Sequence, residues 1–83
     1  MNNKQRKTLE AIFADPVNGN LEWSLIESLL KAVGCRVIEG SGSSVTEKDG
    51  KRAYFHRPHP ERHALRYRVR DAREFLRLIG VMP

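Results

Sequence analysis

The stretch Ser44-Val45-Thr46-Glu47-Lys48-Asp49-Gly50-Lys51-Arg52-Ala53-Tyr54-Phe55-His56 decides the fold. Asp49-Gly50 is a strong two-residue hairpin turn, because both residue types tolerate positive φ. The flanks are rich in β-branched and aromatic residues, so they read as antiparallel strands over 44–48 and 51–56. A two-residue turn fixes the register: Lys48 opposes Lys51, Glu47 opposes Arg52 and Val45 opposes Tyr54. Upstream, Cys35-Arg36-Val37-Ile38-Glu39 reads as a further strand, joined to the hairpin through Gly40-Ser41-Gly42-Ser43. Downstream, Pro58 and Pro60 break the sheet.

The flanking segments change period from two to 3.6. Leu21, Leu25, Ile26, Leu29, Leu30 and Val33 fit one face of a helix over 21–33. Asn20 is the expected N-cap of that helix and Gly34 its left-handed stop. Leu9, Ile12 and Phe13 predict a short amphipathic helix over 4–14, ended by Asp15-Pro16. Residues 61–68 read as a linker. A last helix over 69–79 turns Val69, Ala72, Phe75, Leu76 and Ile79 inward, with Gly80 as its stop. The expected order is α-α-β-β-β-α, an α+β domain whose three-stranded antiparallel sheet packs on its helices. Residues 1–20 read as an N-terminal helical extension and 21–83 as the domain proper.

Composition narrows the function. With 83 residues, the chain is one small domain and a deep substrate cavity is not expected. No apolar run approaches the roughly 20 residues that cross a bilayer, and no signal peptide is expected, so the reading is cytoplasmic with no membrane association. A single cysteine, Cys35, excludes a disulfide framework. It reads as a small buried hydrophobe. Charge is lopsided. Residues 1–50 carry six bases and seven acids, whereas residues 51–83 carry nine bases and three acids, and most of those bases are arginine. A guanidinium grips phosphate through two hydrogen bonds. A one-sided basic surface of this kind points to a nucleic acid, or else to an acidic protein partner.

Three groups of residues could carry chemistry. His56 and His59, either side of Arg57 in His56-Arg57-Pro58-His59-Pro60, could move protons at a ribose 2′-hydroxyl and a leaving oxygen while Arg57 holds the phosphate. The plain alternative is ordinary polar residues at a strand end. Two histidines without a neighbouring carboxylate or cysteine make a poor metal site, and no metal or cofactor is called for. The second group, Gly40, Ser41, Gly42 and Ser43, would let backbone approach a phosphate closely and adds hydroxyl donors. It lacks the lysine and following helix of a P-loop, and it also reads as a simple connection. The third group is basic. Arg66, Arg70, Arg73 and Arg77 recur at i, i+4, i+7 and i+11 and form one stripe on a helix. Lys51 and Arg52 extend the basic set on the hairpin. A stripe of this kind is usually a solvated face, and Asp71 and Glu74 could pair with part of it. Tyr54 would either stack on a base or pack against Val45.

Taken in order, these features resemble the HicA family of toxins from type II toxin–antitoxin systems. The resemblance runs from about Leu21 to Val81. It rests on Leu29-Leu30 and Gly34 at a helix end, the Gly40-Ser41 turn, the hairpin, Pro58-His59, and Arg73, Phe75, Leu76 and Gly80 in the closing helix. It implies a fold like a double-stranded-RNA-binding domain and a metal-independent endoribonuclease acting on mRNA. It also implies a HicB-like antitoxin that covers the active face. That face is expected to join the Gly40–Ser44 turn, the 56–60 segment and the arginines of 62–77, with Arg73 and Arg77 exposed. The family's motif is Gly-Ser-His, with the histidine catalytic, and here Gly42 stands at the histidine position. Three readings follow: catalysis passes to His56 or His59, the protein binds RNA without cutting it, or it is an inactivated variant.

Overall fold

The computed structural model describes residues 1–40, 43–56 and 64–83, with His56 described by its backbone only. The elements run α1 (Asn3–Ile12), α2 (Trp23–Ala32), β1 (Arg36–Gly40), β2 (Ser43–Lys48), β3 (Lys51–His56) and α3 (Arg66–Leu78). The sheet is antiparallel in the order β1-β2-β3. The α+β class and the three-stranded sheet are therefore as the sequence implied.

Local chemistry sets each boundary. Helix α1 starts one residue earlier than its apolar spacing suggests, because Asn2 and Gln5 form a reciprocal cap. Asn2 Oδ1 accepts from the Gln5 amide at 2.8 Å, and Gln5 Oε1 accepts from the Asn2 amide at 2.9 Å. The expected Asn20 cap of α2 is corrected: Glu22 is the N-cap and its side chain makes no capping bond. Leu21 is held outside the helix because its carbonyl accepts the Ala64 amide at 2.7 Å. The Asn20 amide itself donates to Asn18 Oδ1 at 2.8 Å. At the other end, Gly34 has φ 94°. There the Gly34 amide reaches Lys31 O and the Cys35 amide reaches Leu30 O, a paired closure that satisfies two orphan carbonyls.

Helix α3 begins at Arg66, three residues before the expected start. Apolar periodicity could not mark that first turn, since Arg66 and Tyr67 are exposed and Arg68 is half-buried. What fixes it is the fully buried Ala64 beneath it and the Arg68 and Val69 amides donating to Leu65 O. The hairpin turn has Asp49 at φ 52° and Gly50 at φ 80°, and the pairing is Lys48–Lys51, Glu47–Arg52 and Val45–Tyr54 as expected.

All three helices feed one core on one face of the sheet. Leu9 and Ile12 from α1, Trp23, Ile26, Leu29 and Leu30 from α2, Phe55 from β3 and Val69, Ala72, Phe75 and Leu76 from α3 form one buried cluster. Trp23 and Phe55 meet with ring centroids 5.1 Å apart at a tilt of 53°. Residues 1–20 thus supply two side chains to the core that residues 21–83 build.

Candidate nucleic-acid interface

Strand register sorts the candidate residues. On the face turned from the helices, three cross-strand rows lie side by side: Arg36–Glu47–Arg52, Ile38–Val45–Tyr54 and Gly40–Ser43–His56. Two residues of the glycine–serine group, Gly40 and Ser43, therefore share a row with His56. Ser41, Gly42, Arg57 and His59 lie outside the described residues, as does the expected path of 57–63. Among the described residues, no three or more His, Cys, Asp or Glu side chains are grouped to hold a metal ion.

The neighbouring rows carry charge and an aromatic ring. Arg52 Nε donates to Glu47 Oε2 at 2.5 Å, with the Arg52 side chain 59% exposed. The hydrogen bond and charge of Glu47, then Tyr54, raise the Arg52 pKa further above its ordinary value, so this cation is permanent. Arg36 opposes Glu47 from the other side, and both Arg36 and Lys51 are exposed. One carboxylate thus stands between two guanidinium groups. Lys48 does not add to this surface, although like charge faces it at Lys51. It bends inward, and its Nζ donates to Val33 O at 2.6 Å at the end of α2, where a cation complements the helix dipole. Tyr54 is 71% exposed and Ile38 45%, on either side of the half-buried Val45.

Helix α3 lies on the other face of the sheet, and its basic stripe has a different character from the one expected. The expected exposure of Arg73 is corrected. Its side chain is only 12% exposed. Arg73 Nε donates to Ile12 O at 2.8 Å, and a terminal nitrogen donates to Ala14 O at 2.9 Å. The guanidinium thus holds one carbonyl of the last turn of α1, at Ile12, and one just beyond the helix, at Ala14. Arg77 is exposed, as expected, but it donates to Glu74 at 2.9 Å and stands 5.5 Å from the Phe13 ring centroid. The Arg66 stem packs against Gly19, where an added Cβ would sit 3.1 Å from Arg66 Cγ. Arg70 is exposed. Three of the four arginines therefore turn toward segment 12–19. The arginine helix and the Gly40–Ser43–His56 row do not form one continuous face.

The hairpin pattern paired Tyr54 with Val45 and Arg52 with Glu47, but gave no sign that Ile38 completes the first row and Arg36 the second. The missing datum was the β1–β2 register, which a run of glycines and serines leaves open. No family model, curated protein or solved structure gives a match to this chain. No helix among the described residues is long and apolar enough to cross a membrane.

Proposed function

We propose that this chain is a HicA-like toxin that binds RNA and cuts mRNA in the cytoplasm without a metal, and that a HicB-like antitoxin neutralises it. The observation that carries the reading is the register row Gly40–Ser43–His56, which sets a histidine of the chain beside the glycine–serine turn. The excess of nine bases over three acids in residues 51–83 supports a polyanionic substrate.

In this mechanism His56 or His59 takes the proton from a ribose 2′-hydroxyl. The freed oxygen attacks the adjacent phosphorus and the bond to the 5′-oxygen breaks. The second histidine returns a proton to that leaving oxygen. Arg57 stabilises the charge on the phosphoryl oxygens. The products are a 2′,3′-cyclic phosphate and a 5′-hydroxyl end. Induced expression should arrest growth and produce RNA ends of this type. A His56→Ala, His59→Ala double variant that stays fully toxic would show the proposed base to be wrong.

Gly42 at the family's histidine position favours a second reading, a non-catalytic or inactivated RNA-binding module of the same double-stranded-RNA-binding-domain-like fold. It predicts RNA binding that weakens steeply with salt and yields no cyclic-phosphate ends.

A further inference from the structure

The apolar row on the open sheet face is a contiguous feature. Ile38, Val45 and Tyr54 are direct cross-strand neighbours. Neighbouring strands are about 4.8 Å apart, so the row is roughly 10 Å long, a width that matches a nucleobase or two. The Tyr54 ring is the most exposed large hydrophobic side chain among the described residues. About 7 Å along the strands, one side-chain repeat away, runs the Arg36–Glu47–Arg52 row. Its two guanidinium groups outnumber the carboxylate between them. A contiguous apolar row with an exposed aromatic ring and a net positive flank matches what unpaired RNA offers, a base face attached to a phosphate.

Duplex RNA fits this surface poorly. Its base faces are already stacked on one another and its grooves present edges and phosphates. Of the α3 arginines, Arg73 is committed to the end of α1 and is not available to a duplex.

We infer that the open face of the sheet is a stacking platform for single-stranded RNA, with Tyr54 holding one unpaired base and Arg36 and Arg52 its backbone. This rests on the RNA-binding reading and names the form of RNA that the site takes. It makes Tyr54 a binding residue and assigns it no part in bond cleavage.

The test uses the full chain and a fluorescein-labelled, 2′-O-methyl oligoadenylate, in which the attacking oxygen is blocked and no cleavage can occur. Binding is followed by anisotropy at low salt, against a 2′-O-methyl duplex and an abasic strand of equal charge. The single strand should bind at least ten-fold tighter than either competitor. Tyr54→Ala should weaken it about 5- to 100-fold, the range that loss of one base–aromatic stack produces. Tyr54→Phe should stay within about two-fold, because the ring is retained. The duplex and abasic affinities should not move. Tyr54→Ala binding like the parent, or an abasic strand binding as well as the intact one, overturns the inference and leaves RNA binding standing. Binding of no RNA at all overturns both. A dimer in sedimentation that Tyr54→Ala dissolves, with RNA affinity unchanged, also overturns it and makes the row a contact between two copies.

Discussion

Replacing Arg73 by alanine tests whether the arginine helix serves the fold or the ligand. The guanidinium makes two hydrogen bonds to carbonyls at the end of α1, at 2.8 and 2.9 Å, with its side chain 12% exposed. Hydrogen bonds with a charged donor contribute about 1.5–3 kcal/mol each. The Ala14 bond is solvent-exposed and water can replace it after truncation, so its share lies below that range. The Arg73–Asp15 contact adds little, since it spans 3.6 Å and Asp15 is 85% exposed. The Phe13 ring, 5.9 Å from the guanidinium carbon, adds a small cation–π term. The total is about 3 kcal/mol. In a domain of this size each kcal/mol moves Tm by roughly 4–8 °C, so Arg73→Ala should melt about 12–24 °C lower. Arg73→Lys keeps the charge but loses the planar fork, and about half the loss should remain. Arg77→Ala is the control. Its ion pair with Glu74 is exposed on both sides, and the melting point should move by no more than a few degrees. Circular-dichroism melts and urea midpoints give the comparison. An Arg73→Ala variant within about 3 °C of the parent, or an Arg77→Ala variant equally damaged, would refute the assignment of Arg73 as a clasp between α3 and α1.

Two further outcomes follow from buried groups. Thr46 is buried on the helix-facing side of the sheet, and its hydroxyl makes no hydrogen bond among the described residues. Thr46→Val should therefore raise stability by about 1 kcal/mol, read as a urea midpoint shifted upward at unchanged slope. Burial pushes the Cys35 thiol above its ordinary value of 9.0, against a smaller opposing pull from Lys48. The folded chain keeps that proton after the unfolded chain has lost it, so stability falls as pH rises above 9.0. Cys35→Ala should flatten that alkaline decline and leave the profile below it parallel to the parent, when stability is measured by urea unfolding across pH.

The legibility of the sequence follows the range of the interactions. Asp49-Gly50 fixed the hairpin register because a two-residue turn leaves no freedom, and both residues have positive φ. The core faces of α2 and α3 were legible because their apolar residues repeat with the helical period. The end of α2 was legible because Gly34 takes the left-handed conformation that other residues avoid. Asn20 misled because cap preference is local, whereas the start of α2 is fixed by an Ala64–Leu21 bond across the fold. Arg73 misled for the same reason. Helical spacing places it among exposed arginines, and only tertiary packing brings it to a carbonyl 61 residues away. Of the candidate site, the sequence indicated His56 and the glycine–serine turn. The hairpin register already pairs Ser43 with His56, whereas the place of Gly40 in that row depended on the β1–β2 register, which five consecutive glycines and serines left open.

The sheet also departs from the usual assignment of polarity to its two faces. Ser44 and Thr46 face the core, each about 1% exposed, while Ile38 and Tyr54 face out. Burying a large apolar side chain contributes about 1.5–3 kcal/mol, and a small domain has only about 5–10 kcal/mol in all. A one-residue slip of β2 against its neighbours would move Val45 to the core face and the hydroxyls to water. The Asp49-Gly50 turn opposes that slip on the β3 side, and Lys48 opposes it from beneath through its bond to Val33 O. The observed register therefore forgoes apolar burial that the same strands could have achieved. Single exposed hydrophobics such as Leu65, Leu78 and Met82 call for no explanation on a protein surface. Ile38, Val45 and Tyr54 differ because they are contiguous on one face of the sheet and border a row with two arginines. The stacking-platform proposal gives this apolar surface a use outside the fold: a ligand that is flat on its face and negative along its edge would cover the row that the strands leave open.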